Sequence, residues 1–161
     1  KCARHGEQLY LHTHALEFKK IGDHVLADLI FDNTDPEYLK FEVDMAWAMR
    51  GGVDPLDILQ KLGSRCDLVH QKDISKNAHP VNILELATEE DDKLGVFGVY
   101  RKYVKPGDFV NLGEGIFDFE RIYQGIKKMS FVKYTLAENE GVDSDRFRSI
   151  EIDYNTLKKY V

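Results

Sequence analysis

An α/β fold of parallel strand–helix units is what the sequence predicts, and three features predict it. Short, strongly apolar stretches alternate with longer amphipathic ones. Helix-starting and helix-ending residues, rather than two-residue hairpin turns, stand between them. The strand–helix unit recurs four times at a spacing of roughly 30 residues, which suits a barrel of such units better than an α-solenoid. The 161 residues are 43% hydrophobic and 11% aromatic, as expected of a single globular domain over 1–161.

The first strand is QLYLHTH (8–14), followed by the helix-like DHVLADLIFDN, for which Asp23 can serve as N-cap. The second, LKFEVD (39–44), leads through GGVDP into LDILQKLGS, with Asp54 as cap, Pro55 at the first helical position and Gly63 at the stop. CDLVHQKD (66–73) is the third. An irregular insertion spans about 74–107; its middle, LGVFGVYRKYV, reads as a short strand or an ordered lid, since two glycines make it a poor helix. DFVNLGEG (108–115) is the fourth strand, FDFERIYQGIKKM its helix, and FVKYTLAEN (131–139) the fifth strand. The close, DSDRFRSIEIDYNTLKKYV, has a cap, helical apolar spacing and a basic last turn. Five strands also allow an open doubly wound sheet, although no GxGxxG follows any of them.

A formal charge of −6 with no basic block argues against a nucleic-acid partner. No apolar run approaches the roughly 18 residues of a membrane span. Two cysteines, Cys2 and Cys66, without a CxxC spacing suit a reducing compartment, and a cytoplasmic location is expected. The N-terminus KCARHGEQ has neither an initiator Met nor a signal-peptide core, so a fragment is expected.

The chemistry lies at the strand ends. Residues two apart in a strand share a face, so His12 pairs with His14, Glu42 with Asp44, and His70 with Lys72; Glu138 repeats the pattern on the last strand. Each sits toward the C-terminal end of its strand, where parallel α/β folds place their sites. Carboxylates and imidazoles without thiolates match a divalent ion such as Mn²⁺, Co²⁺, Mg²⁺ or Zn²⁺, because converging carboxylates repel one another unless a cation sits among them. Lys72 is placed to stabilise an oxyanion or hold a substrate hydroxyl.

Five ordered stretches carry a family resemblance: LHTHALEF, KFEVDMAWAMRGGVDP, HQKD, LGEGIFDFERI and AEN. Together they resemble the second half of the xylose isomerase-like TIM-barrel superfamily, in its sugar phosphate isomerase/epimerase group. The resemblance implies a (β/α)8 barrel of which this chain covers about strands 4 to 8. It implies a metal held by Glu17, Asp44, His70 and Glu138, with His12, His14, Lys72 and Glu138 in catalytic roles. In sugar epimerases of this superfamily the fourth-strand ligand is a glutamate on the strand itself, whereas that position here is His12, so Glu17 would have to reach back from the following loop. The implied activity is that of a metal-dependent sugar isomerase or epimerase, abstracting a proton next to a carbonyl. Dehydratases and 3-keto-glycoside lyases share the pattern, and a non-catalytic metal- or carbohydrate-binding subunit is the reading from a different class.

Plainer roles stand beside these. Asp44 could simply cap or end its strand, Glu42 suits a structural ion pair, and Asp73 suits loop capping. Trp47 is a candidate wall for a sugar face, and Glu114 of the GEG turn a candidate substrate contact. The expected partner is a small sugar or sugar derivative. Strands 4 to 8 alone leave two open edges, so the first half of the barrel is expected from a segment outside this sequence or from another chain, with homo-oligomer formation left open.

Overall fold

In a computed structural model that describes residues 2–140 and 145–161, four strands form one parallel sheet. They are β1 (Leu9–His12), β2 (Leu39–Asp44), β3 (Leu68–Gln71) and β4 (Tyr134–Ala137), adjacent in that order. The register sets His12 beside Glu42 and Asp44 beside His70. The ladder runs one residue beyond the strands at two places, with Thr13 N–H donating to the Glu42 carbonyl and Glu138 N–H to that of Gln71. All the polar strand ends therefore meet at one rim.

The helices follow as α1 (Leu26–Asp32), α2 (Met45–Arg50), α3 (Pro55–Leu62), α4 (Gly95–Tyr103), α5 (Phe119–Lys127) and α6 (Arg146–Leu157). Period-two alternation along the strands sends Phe41, Val43 and Val69 into a core with Leu59 of α3 and Ile122 and Tyr123 of α5. The alternate residues Tyr10, His12, Lys40, Glu42, Asp44 and His70 form a polar face, whose lower part is closed by Asp67 receiving Tyr10 Oη at 2.8 Å and the Lys40 ammonium.

Several sequence expectations hold. Asp54 caps α3 by accepting from Leu56 N–H, Pro55 is its first residue, and Gly63 ends it at φ 53°. The closing stretch is a capped helix, α6, with Asp145 as its cap, and α5 is capped by Asp118, which the sequence reading had not named. Three do not. Asp23 is not the cap of α1; it sits in the turn of a small ribbon in which Lys20–Ile21 pairs with His24–Val25, and α1 starts after Val25 without a side-chain cap. The stretch 108–115 is not a member of the parallel sheet: only Phe109–Val110 is extended, and it pairs antiparallel with Asp73–Ile74 while β3 bonds directly to β4. The middle of the 74–107 segment is a helix, α4, despite its two glycines. Burial of Val99 and the stacking of Tyr100 on Trp47 (ring centroids 4.7 Å apart) outweigh the propensity cost of about 1 kcal/mol per glycine.

Candidate metal centre

Four side chains converge at the rim. One ligand atom from each of His12, Asp44, His70 and Glu138 lies within 4.8 Å of all the others. His12 Nε2 is 2.7 Å from His70 Nδ1 and 3.6 Å from Asp44 Oδ2, and His70 Nδ1 is 3.1 Å from Glu138 Oε2. Each of the four strands delivers one group, because each ends at the same height.

Asp44 divides its two oxygens between structure and site. Oδ1 accepts from Trp47 N–H and so caps α2, which the sequence reading had not delimited as a helix. Oδ2 is buried and makes no hydrogen bond, with the Lys72 ammonium 3.3 Å away. A buried, unsatisfied carboxylate oxygen facing two imidazole nitrogens and a second carboxylate fits a divalent cation of intermediate hardness. Glu42 contributes from behind: its carboxylate is 2.9 Å from His70 Nε2, leaving Nδ1 turned toward the cluster.

Lys72 is 1% exposed and contacts three carboxylates, Asp44, Glu138 at 3.1 Å and Glu140 at 3.0 Å. Burial disfavours its charge, but Asp44, Glu140 and Glu138 more than offset this and hold its pKa above the ordinary lysine value. His70 is likewise raised, its burial outweighed by Glu138, Glu42 and Asp44. The hydrogen bond from His70, helped by Lys72, holds the Glu138 carboxyl down at about 2 against its own burial. His14 is moved the other way, lowered by burial and by His12 next to it.

Glu17 stands outside the cluster. Its carboxylate accepts from His14 N–H at 3.0 Å and so closes its own short turn, and the fourth-strand place is filled by His12. His14 and Trp47 line a neighbouring pocket of about 380 Å³ with Phe97, Tyr100, Phe109 and Glu140. Glu114 is exposed and is not brought to the four-residue cluster; its loop is wound on Asp73 instead. Tyr100 is the contributor that sequence reading missed, since it belongs to a segment with no strand-end signal.

No protein-family model matches the chain. Among curated proteins it is similar to the inosose dehydratase of Geobacillus kaustophilus, 27% identical over 139 residues, which is 86% of this chain and 41% of that protein. Among solved structures it overlays a sugar phosphate isomerase/epimerase from Parabacteroides distasonis with a TM-score of 0.69 at 20% identity, covering 97% of this chain and 46% of that one. The probable 3-DHS dehydratase of Bacillus anthracis gives 0.60 at 21% identity, with 97% and 50% covered. A xylose isomerase domain protein from Planctomyces limnophilus gives 0.58 at 21%, with 98% and 48% covered. The chain thus spans about two fifths of the curated relative's length and about half of each solved barrel. Parallel strands joined through helices, site residues gathered at one rim and these overlays lead to the same conclusion: the chain has the xylose isomerase-like TIM-barrel fold of the sugar phosphate isomerases and epimerases, as part of a barrel.

Proposed function

We propose that this chain carries the metal-binding half of an enzyme that removes a proton next to the carbonyl of a sugar or cyclic polyol ketone and then expels a β-hydroxyl, a dehydration. The convergence of His12, Asp44, His70 and Glu138 carries the reading. These four would hold the ion, and a bound divalent ion supplies Lewis-acid polarisation of the carbonyl oxygen.

The chain's own residues supply the rest. His14 is kept neutral by burial, so its imidazole can accept the proton near neutral pH. The imidazolium formed returns that proton to the departing hydroxyl on the same face, and water leaves. Lys72, held charged among its carboxylates, favours negative charge developing on a nearby oxygen. Trp47 and Tyr100, stacked at 4.7 Å, form an apolar wall against the carbon face of a ring and exclude water. With His12 in place of a glutamate, Glu138 is the one glutamate of the cluster, beside Asp44, instead of one of two opposed glutamates. Proton return to the opposite face is thereby disfavoured, and elimination suits the arrangement better.

Isomerisation or epimerisation is the second reading, supported by the overlay on a sugar phosphate isomerase/epimerase. The two part company when the full-length protein with added Mn²⁺, Co²⁺ or Zn²⁺ is incubated with cyclic and open-chain ketoses in deuterated water. Dehydration yields a conjugated product absorbing in the ultraviolet; deuterium-labelled epimer without it would select the second reading. Asp44→Ala and His70→Ala are expected to lose bound metal by elemental analysis while remaining soluble, and unchanged stoichiometry in both would remove the site assignment. His14→Gln should keep its metal and lose about 10²–10⁴-fold in kcat.

A further inference from the structure

We propose a second binding site, a small oxyanion cavity built on Arg50, next to the Phe109 ring. The inference is independent of the metal centre. Arg50, the last residue of α2, is 1% exposed. One arm of its guanidinium, Nη2, donates to Asp108 Oδ2 at 3.0 Å, but Nε and Nη1 are buried and make no hydrogen bond. Asp108 Oδ2 is itself shared with Lys105 N–H at 3.1 Å, so it only partly answers the guanidinium.

Arg50 lines a cavity of about 80 Å³ with Asn77, His79, Lys102 and Lys105. Lys102 is paired with Asp91 at 2.6 Å, whereas Lys105 has no carboxylate partner among the described residues. In a chain of net charge −6, the cavity thus gathers three cationic side chains against Asp108 and Asp91. An unsatisfied buried guanidinium is costly, since its missing hydrogen bonds leave the desolvation of a charged group uncompensated. A planar fork with two unsatisfied donor nitrogens, in a cavity that Lys105 also lines, matches the oxygens of a tetrahedral anion. The volume admits phosphate or sulfate but no sugar ring. Arg50 Cζ and Lys72 Nζ lie 6.0 and 5.5 Å from the Phe109 centroid, so the cavity borders the catalytic region without belonging to it.

The ligand chemistry is that of phosphate, either the free anion or the phosphoryl group of a small ester. Calorimetric titration of the full-length protein with inorganic phosphate, in the presence of a chelator and against chloride at equal ionic strength, tests it. One site per chain is expected, weakened at least about tenfold by Arg50→Lys and about threefold by Lys105→Gln. Glycerol phosphate distinguishes the sources: binding equal to that of phosphate identifies an ester-accepting site, and exclusion of the ester identifies a free-anion site, both upholding the cavity. No heat beyond the chloride control, or phosphate affinity unchanged in both variants (an adventitious ion only), would overturn the proposal. Should Arg50→Lys not fold, the exposed Lys105→Gln variant decides alone.

Discussion

The carboxylate of Asp73 accepts four backbone N–H groups, those of Ile74, Gly113, Gly115 and Phe117, and so winds the GEG turn onto the end of β3. A side chain at position 115 would drive into Asp73 Oδ1 and the Ile74 carbonyl, both backed by fixed structure. Gly115→Ala is therefore expected to cost roughly 3 kcal/mol in urea unfolding, and a loss below about 0.5 kcal/mol would contradict this account of the loop. Cys66 is fully buried, and burial pushes its thiol up to about 12, so a thiol reagent at mildly alkaline pH should leave Cys66 unmodified in the native protein. Modification of Cys66 before unfolding, read by mass spectrometry, would refute that. At this scale much was legible: Asp73 as a loop cap and the strand-end placing of Asp44, His70 and Glu138 follow from residue type and period-two spacing. The choice of His12 over Glu17 was not, because it depends on whether a loop side chain turns back to the rim or, as here, bonds to His14 N–H.

Helix ends were read well where a side chain fixes them and poorly where tertiary contacts do. Asp54, whose carboxylate accepts from Leu56 N–H and also meets Arg121, caps α3; Asp54→Ala should lower stability by about 1 kcal/mol in thermal unfolding. An unshifted melting curve would show that the cap is redundant. α4 is the contrary case: no cap residue signals it, and its glycines argue against it, yet it is seated by Val99 and by Tyr100 stacked on Trp47. Removing that stack with Tyr100→Ala is expected to speed cleavage of the 88–105 stretch by trypsin, which has Lys93, Arg101 and Lys102 to attack there, while the rest of the chain stays resistant. Equal cleavage rates in the two proteins would mean that α4 is held by something other than this contact.

Across the whole molecule, one face of the sheet is covered by helices and the other stands open. Tyr134 and Leu136, on the same face as His70, remain 61% and 45% exposed, and β1 and β4 are edges among the described residues. A preparation of these 161 residues alone should self-associate with rising concentration in sedimentation analysis, and Leu136→Lys should reduce this. A concentration-independent monomer would show that the edges are inert. The α/β architecture was legible because parallel units repeat; the strand order was not, since nothing in DFVNLGEG announces that it yields its place in the ladder. Its displacement has a use. With β3 bonded straight to β4, the stretch between them is excused from the parallel sheet, and the amides of Gly113, Gly115 and Phe117 are left to grip a single acid. The stave withdrawn from the barrel wall has become the clasp at its mouth.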